Sequence, residues 1–321
     1  MSPIKQPQVP SFEVQITAPD IGRWLAGNTG VPGFTTRDSG VAGPHVALLA
    51  ITHGNEVAGA IVLDRLLDAG LTPTRGRLTF GFVDLAAYER FDPHQPTVSR
   101  FVDEDINRLW DTAVLDSVRR STELDRAREI RPLIDTVDVL FDLHSMLWPS
   151  DPLILCGTSK KGKRLALGAG QPALVVADQG HASGRRIIDY SRFADAATPC
   201  AASLVEAGQH WQSATVDTMF ASVAGLLRHL DPTARHPALP EPVAQTQRFA
   251  EVTMVVTAAT SNFAFVERYR GGDVIARRNT VIALDGETEI RTPHDDCLLI
   301  MPSLRPSRGH TAVRLARFVA A

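Results

Sequence analysis

The chain has 321 residues, 44% hydrophobic and 21% charged, a balance that suits a soluble globular protein and excludes a disordered chain. Its 33 basic and 36 acidic residues give a formal charge of -3, so no excess of positive charge is available to hold a phosphate backbone and no nucleic-acid partner is expected. Three well-separated cysteines, Cys156, Cys200 and Cys297, form no CxxC pair, which points to reduced thiols in a cytoplasmic protein and away from a disulfide framework.

The opening MSPIKQPQVPSFEVQ lacks the apolar centre of a signal peptide. No stretch approaches the ~20 apolar residues that cross a bilayer, so no membrane partner is expected either. A homo-oligomer stays open.

Residues 12–17 (FEVQIT) alternate as a short strand, and Pro19-Asp20 then reads as a helix start. After a glycine-rich loop, HVALLAI (45–51) is a continuous apolar run of strand length, as in a strand buried on both faces. EVAGAIVLDRLLDA (56–69) has helical spacing and stops at Gly70, and LTFGFV (78–83) reads as another buried strand. Residues 113–134 are charged and periodic, as in one exposed helix ending near Pro132. VDVLFDL (137–143), LILC (153–156), ALVVA (173–177) and ASLVE (202–206) are strand-like, and 215–230 reads as a helix with a basic end. Strands alternating with helices predict an α/β domain with a mostly parallel mixed central sheet flanked by helices.

The texture changes at PALPEPVAQ (237–245). Beyond it come short alternating runs (EVTMVVTA, FAFVERY, TVIALDG, DCLLIM, TAVRLARFV) separated by turn signals such as Gly271-Gly272 and Asp285-Gly286. The expected organisation is a first domain over 1–240 and a small all-β domain over 241–321.

The strongest chemical signal is His53-Gly54-Asn55-Glu56, after a buried strand and before a helix. In open α/β sheets the crevice beyond the carboxyl ends of the strands binds ligands. A His and a Glu three apart at such a turn can converge on one metal ion. Catalytic zinc takes three protein ligands and keeps a position for water. His144 fits as the third ligand, because FDLHS closes the strand VDVLFDL. Glu206 ends the apolar run ASLVE, where a carboxylate is costly unless it has a role or a partner. Beside a zinc-bound water it would be a general base.

HGNE, DINR, DLHS and VEAG, in this order and spacing, resemble the aspartoacylase and succinylglutamate desuccinylase family, which shares the zinc carboxypeptidase fold. The resemblance runs in order from about residue 12 to 215 and more loosely beyond. It implies one zinc per chain on His53, Glu56 and His144, with Glu206 activating the water. It implies that Asp142 orients a zinc-bound histidine, as carboxylates behind metal ligands do. It assigns Asn107 and Arg108 of DINR to the substrate carboxylate. Arg100, seven residues before Asn107, would polarise the scissile carbonyl and stabilise the oxyanion. The implied activity is zinc-dependent hydrolysis of the amide in a small N-acyl amino acid or related carboxylate-bearing molecule. A metallocarboxypeptidase on the same fold is the alternative, and a non-catalytic binding protein the third reading.

The chain also departs from that pattern. The family uses an arginine shortly before the VEAG-type glutamate for a second carboxylate. ADAATPCAASLVE (194–206) contains none, and Arg192 lies too far upstream. A C-terminal family tyrosine has no clear counterpart, Tyr269 being the only tyrosine there. Acetylaspartate or succinylglutamate is therefore a less suitable substrate than a different N-acyl amino acid. His210, in VEAGQHW, either approaches the site or packs beside Trp211. His45 is expected to have no chemical role, and His94, His181, His229, His236, His294 and His310 to be exposed. The run Gly157-TSKK-Gly162-Lys163 nearly spells a phosphate-binding loop, but Arg164 stands where Ser or Thr is required. A basic, flexible lid near the active site is the expectation for that loop.

Overall fold

The structure is a computed structural model that describes residues 12–181, 183–241, 243 and 245–320. Most of the opening segment read for a leader, and Pro242 and Ala244 of the boundary segment, lie outside the described residues.

The apolar runs become strands in chain order, with helices between them. The first part comprises β1 (Phe34–Asp38), β2 (His45–Ala50), α1 (Val57–Asp68), β3 (Arg77–Phe82), α2 (Leu85–Glu89), α3 (Thr112–Leu115) and α4 (Thr122–Ile134). Then come β4 (Val139–Met146), β5 (Leu153–Leu155), α5 (Lys160–Gly168), β6 (Leu174–Ala177), β7 (Ala201–Gln209) and α6 (Ser213–Leu230). The final part is all strand: β8 (Arg248–Thr257), β9 (Phe263–Phe265), β10 (Val274–Ile275), β11 (Val281–Asp285), β12 (Thr288–Arg291), β13 (Cys297–Ile300) and β14 (Thr311–Val319).

Eleven strands form one mixed sheet in the order β1-β3-β2-β4-β7-β5-β6-β8-β14-β13-β10. Its centre, β3-β2-β4-β7, is parallel throughout. All six residues of β2 are buried, as a strand covered on both faces requires. One apolar layer lies between the sheet and helices α1 and α6; Leu63, Leu66, Met219 and Val223 belong to it. The other lies under α4 and includes Leu124, Ile130 and Ile134.

The chain re-enters this sheet after residue 247, because β8 pairs parallel to β6 and β14 pairs antiparallel to β8. A separate three-stranded sheet, β12-β11-β9, makes up the small C-terminal β region. Its Phe263 and Ile282 share an apolar cluster with Leu299 of β13 and Leu315 of β14.

Three sequence expectations need correction. Residues 12–17 alternate in burial but form no strand. The Gln15 amide donates to the Trp211 carbonyl (2.8 Å) and the Phe12 ring meets Trp148 and Trp211 at 5.6 and 5.7 Å, so ring packing accounts for the pattern. Pro19-Asp20 leads only into a single 3-10 turn, Gly22–Trp24. Residues 113–134 are two helices, because Ser121 caps a new start by accepting from the Leu124 amide (3.0 Å). The Arg128 guanidinium takes up the carbonyls of Leu115 and Arg119 in the intervening turn, each at 2.8 Å.

Glu123, in the first turn of α4, is fully buried and holds the loop ahead of it. Its carboxylate accepts from the amides of Val102 (2.5 Å), Asp103 (3.1 Å) and Glu104 (3.1 Å). Charged hydrogen bonds of this kind contribute about 1.5–3 kcal/mol each, and they fix the segment between Arg100 and Asp105. Glu123→Ala is expected to lower stability by about 2–4 kcal/mol in chemical denaturation. A change below about 1 kcal/mol would show that this loop is held by something else.

Candidate active site

The strand order reverses at β2: β3 lies on one side of it and β4 on the other. Such a reversal opens a crevice at the carboxyl ends of the two strands. There the chain leaves β2 through Ile51, whose φ of 50° is an uncommon conformation for a β-branched residue. Thr52 and the His53–Glu56 turn come next. Gly54 is required in that turn, since a Cβ would sit 2.3 Å from the Ala87 carbonyl carbon and 2.5 Å from the Tyr88 nitrogen. Glu56 occupies the N-cap of α1 without making a capping bond, so its carboxylate is free to face the crevice.

His53, Glu56 and His144 converge there, all buried, with one potential ligand atom from each within 4.8 Å of the others. His53 Nδ1 lies 2.7 Å from Glu56 Oε1, and His144 Nδ1 lies 3.1 Å from Glu56 Oε2. Each histidine has a carboxylate behind it. Asp142 Oδ2 stands 2.6 Å from His144 Nε2, and Asp105 Oδ1 stands 3.0 Å from His53 Nε2. Carboxylates so placed orient both rings with Nδ1 toward Glu56, and a cation bound there would take up the Nδ1 lone pairs in place of protons. Arg100 Nη2 also lies 2.8 Å from His53 Nε2. Burial opposes charge on Glu56, but His53 and His144 outweigh it and hold the carboxyl well below its usual range. Two imidazoles and a carboxylate that stays ionised form a donor set that could hold a divalent cation.

Glu206 sits on β7 opposite His144 in the β4–β7 register. Burial pushes its carboxyl up to about 8, and its Oε2 is buried without a hydrogen-bond partner. Arg100, partly exposed, reaches Asp105 Oδ2 at 3.0 Å and Glu56 Oε1 at 3.5 Å. Arg108 approaches Asp105 at 3.5 Å, and burial brings its guanidinium down to about 10, still cationic at neutral pH. Asn107 is buried, and its Oδ1 accepts from the Ile187 amide (2.9 Å), which leaves its Nδ2 to donate.

His210 does both things considered for it. It tilts against Trp211 at 5.1 Å, and it also lines the crevice with Nδ1 2.6 Å from Ser145 Oγ. Burial lowers it to about 4, so the ring is neutral. These residues, including Asn107, border one cavity of about 200 Å3, walled on its far side by Thr311 and Arg314 of β14. His181, expected to be exposed, is partly buried in the same wall, and His294 is buried against Thr253 Oγ1 (2.9 Å). His45 is buried at the start of β2, 2.7 Å from Thr79 Oγ1.

The supposed lid is elsewhere. Strand β5 runs antiparallel to β7, so it leaves the sheet at the end opposite Glu206. The next residues form α5, capped by Ser159 and anchored by Lys161 Nζ to the carbonyls of Arg192 (2.8 Å) and Asp195 (2.5 Å). None of residues 157–164 borders the cavity. Arg192 pairs with Asp138, at the start of β4, and is likewise remote.

The match of the sequence to known families decides the identity: residues 42–222, over half of the chain, fit the succinylglutamate desuccinylase/aspartoacylase catalytic domain. The chain belongs to that family. Comparison with curated protein sequences finds no match. Among solved structures it is similar to a succinylglutamate desuccinylase from Vibrio cholerae, with 16% identity and a TM-score of 0.67 over 89% of this chain and 86% of the other. It is similar to one from Chromobacterium violaceum, with 18% identity and a TM-score of 0.65 over 91% and 90%. A product-bound ectoine utilization protein from Ruegeria pomeroyi gives 16%, 0.61 and 88% of both chains. At these identities the likenesses show the fold. The family is one of desuccinylase and aspartoacylase hydrolases.

Within this desuccinylase/aspartoacylase frame, sequence reasoning misses four residues that the fold brings to the site: Asp105, His181, Arg186 and Arg314. Arg314 has a usable signal, a lone charge in the apolar strand TAVRLARFV, the same signal that picks out Glu206.

Asp142→Asn and Asp105→Asn are each expected to weaken metal binding about 10- to 100-fold, read by competition with a chelating indicator. Gly54→Ala should shift the turn and lower metal content as well. Full metal affinity in all three variants would remove the roles given to these residues.

Proposed function

We propose that this chain is a zinc-dependent deacylase that hydrolyses the amide of a small N-acyl amino acid or related carboxylate-bearing molecule. The observation that carries the reading is the buried, unpartnered Glu206 carboxyl beside the convergent His53–Glu56–His144 group. A zinc ion held by those three side chains supplies Lewis acidity and brings the pKa of a water to about 7.

The remaining work falls to the protein. Asp105 and Asp142 orient the imidazoles from behind. Glu206 removes the proton from the attacking water and returns it to the leaving amine; burial lifts its carboxyl to about 8, and a cation held beside it would bring that down and leave the base ionised near neutral pH. Arg100, at the mouth of the group, donates to the carbonyl oxygen as negative charge builds on it. Arg108 and the Nδ2 of Asn107 hold the substrate carboxylate. The buried, free thiols of Cys156, Cys200 and Cys297 suit a cytoplasmic enzyme.

Purified protein is expected to hold one zinc per chain and to release free amine from N-acyl amino acids in a chelator-sensitive way. Release from peptides alone would transfer the reading to a carboxypeptidase, and zinc-independent ligand binding without turnover to a binding protein. Glu206→Gln should keep zinc and lose about 100- to 10,000-fold in kcat, whereas His144→Ala should lose the metal. Arg108→Ala should chiefly raise KM, by about 10- to 100-fold. An unchanged KM would place the carboxylate elsewhere.

A further inference from the structure

His210 lines the cavity but has no part in the proposed chemistry. It follows β7, is only 3% exposed, and sits in a backbone bent out of ordinary strand geometry. Gly208 has a φ of 137°, and Trp211 a φ of 64°, an outlying conformation for a bulky side chain. Four hydrogen bonds hold that bend. The His210 amide donates to the Met146 carbonyl (2.7 Å) and Gln209 Nε2 to the Leu147 carbonyl (3.3 Å). Thr215 Oγ1 donates to the Gln209 carbonyl (2.6 Å), and Trp211 Nε1 to the Asn55 carbonyl in the His53–Glu56 turn (2.8 Å).

The ring commits one nitrogen to the protein. Nδ1 lies 2.6 Å from Ser145 Oγ, whereas Nε2 makes no hydrogen bond with any of the described residues. Nε2 is thus the polar atom that His210 can offer to the cavity it lines. Burial keeps the ring neutral. A side chain needed only to pack on Trp211 could be a phenyl ring, which leaves no buried polar atom unmet.

The position of His210 about the metal group decides which half of a substrate it meets. Glu56 Oε1 faces His53 Nδ1 (2.7 Å) and Arg100 Nη1 (3.5 Å), with Asp105 and Arg108 beyond them. Glu56 Oε2 faces His144 Nδ1 (3.1 Å) and the Ser145 amide (2.9 Å), and the Ser145 hydroxyl leads on to His210. An amide at the metal group, with the carboxylate of its amine half on Arg108 and Asn107, therefore turns its acyl half toward His210. The adjoining wall is Met146, Leu147 and Trp148. An apolar wall with one fixed polar atom selects a ligand by shape and by a single hydrogen bond. A neutral ring brings no charge to offset the desolvation of an acyl carboxylate. A hydroxyl suits it in either tautomer, because it both donates and accepts.

We propose that His210 is a specificity-determining residue that hydrogen-bonds an uncharged polar group on the acyl half of the substrate. The preferred acyl group is short and carries a hydroxyl or a similar neutral function. Ser145 is a positioning residue that acts through His210. The proposal rests on the deacylase reading for the place of the amide, but it is tested by binding alone.

The test uses zinc-loaded Glu206→Gln protein and calorimetry with two probe pairs in which a hydroxyl replaces a methyl group. One pair is N-glycoloylalanine and N-propanoylalanine, and the other is N-(3-hydroxypropanoyl)alanine and N-butanoylalanine. One hydroxyl probe is expected to bind about 10-fold tighter than its methyl partner. Adding His210→Phe, which keeps a ring against Trp211, should abolish or reverse that preference. Adding Ser145→Ala should reduce it to about threefold. Should His210→Phe fail to fold, the ratio in Ser145→Ala decides in its place. A ratio near one in both pairs or absence of binding by all four probes would overturn the proposal. So would a preference that survives His210→Phe, as chelation of the metal by the hydroxyl alone would produce. His210-dependent discrimination in a protein that hydrolyses no N-acyl amino acid would uphold the proposal while removing the deacylase reading. Hydrolysis of alkanoyl amino acids with a flat binding ratio would do the reverse.

Discussion

The Glu56 carboxylate is deeply buried at the edge of the cavity and still ionised, and much of the surrounding architecture answers that condition. It lies 2.7 and 3.1 Å from the two histidines and accepts from the Ser145 amide at 2.9 Å. An anion at that depth is tolerated only with charge and hydrogen bonds arranged around it. Asp142 behind the ring and Glu56 before it keep His144 protonated far more readily than a free histidine despite its burial, and Asp105 places a further negative charge behind His53. Two histidines and three carboxylates thus share one buried crevice, an arrangement that a divalent cation would relieve by taking the place of protons.

The strands alone do not deliver this cluster. They bring His144 and Glu206 into register, but Asp105, Asn107 and Arg108 sit on a loop with little regular structure. That loop is held by its own neighbours. The Glu123 carboxylate collects its amides, the Gly54 amide donates to the Arg100 carbonyl (3.1 Å), and the 185–187 segment bonds along its far side. Positioning by buried polar contacts gives loop residues the rigidity that catalysis asks of strands and helices.

Sequence reading succeeds where function and burial coincide locally. HVALLAI, VDVLFDL and ASLVE are uninterrupted apolar runs, and each ends where a polar residue has to be explained. The fold class comes from their alternation with helices. The reading fails where alternation has another cause, as at FEVQIT, where a ring inserts between two tryptophans and leaves a strand-like pattern without a partner strand. It fails again wherever proximity is decided by distant pairing. That β5 opposes β7 sends the Gly157 loop away from the site, and that β14 joins β8 brings Arg314 toward it. Neither pairing leaves a local trace. Asp105 escapes notice because DINR draws the eye to residues that face a substrate, and its first residue faces a histidine instead.

The cavity draws on segments that share no covalent neighbourhood. The crevice between β2, β4 and β7 carries His53, Glu56, His144 and Glu206, while Thr311 and Arg314 arrive on a strand four places further along the sheet from β7. Such a division gives an evolving lineage two separate handles. Changes on β14 can reshape what the cavity admits while every ligand atom of the His–Glu–His group stays where it is. Drift in diet need not pass through a loss of chemistry, and a designer seeking a new substrate would begin at the C-terminal strand.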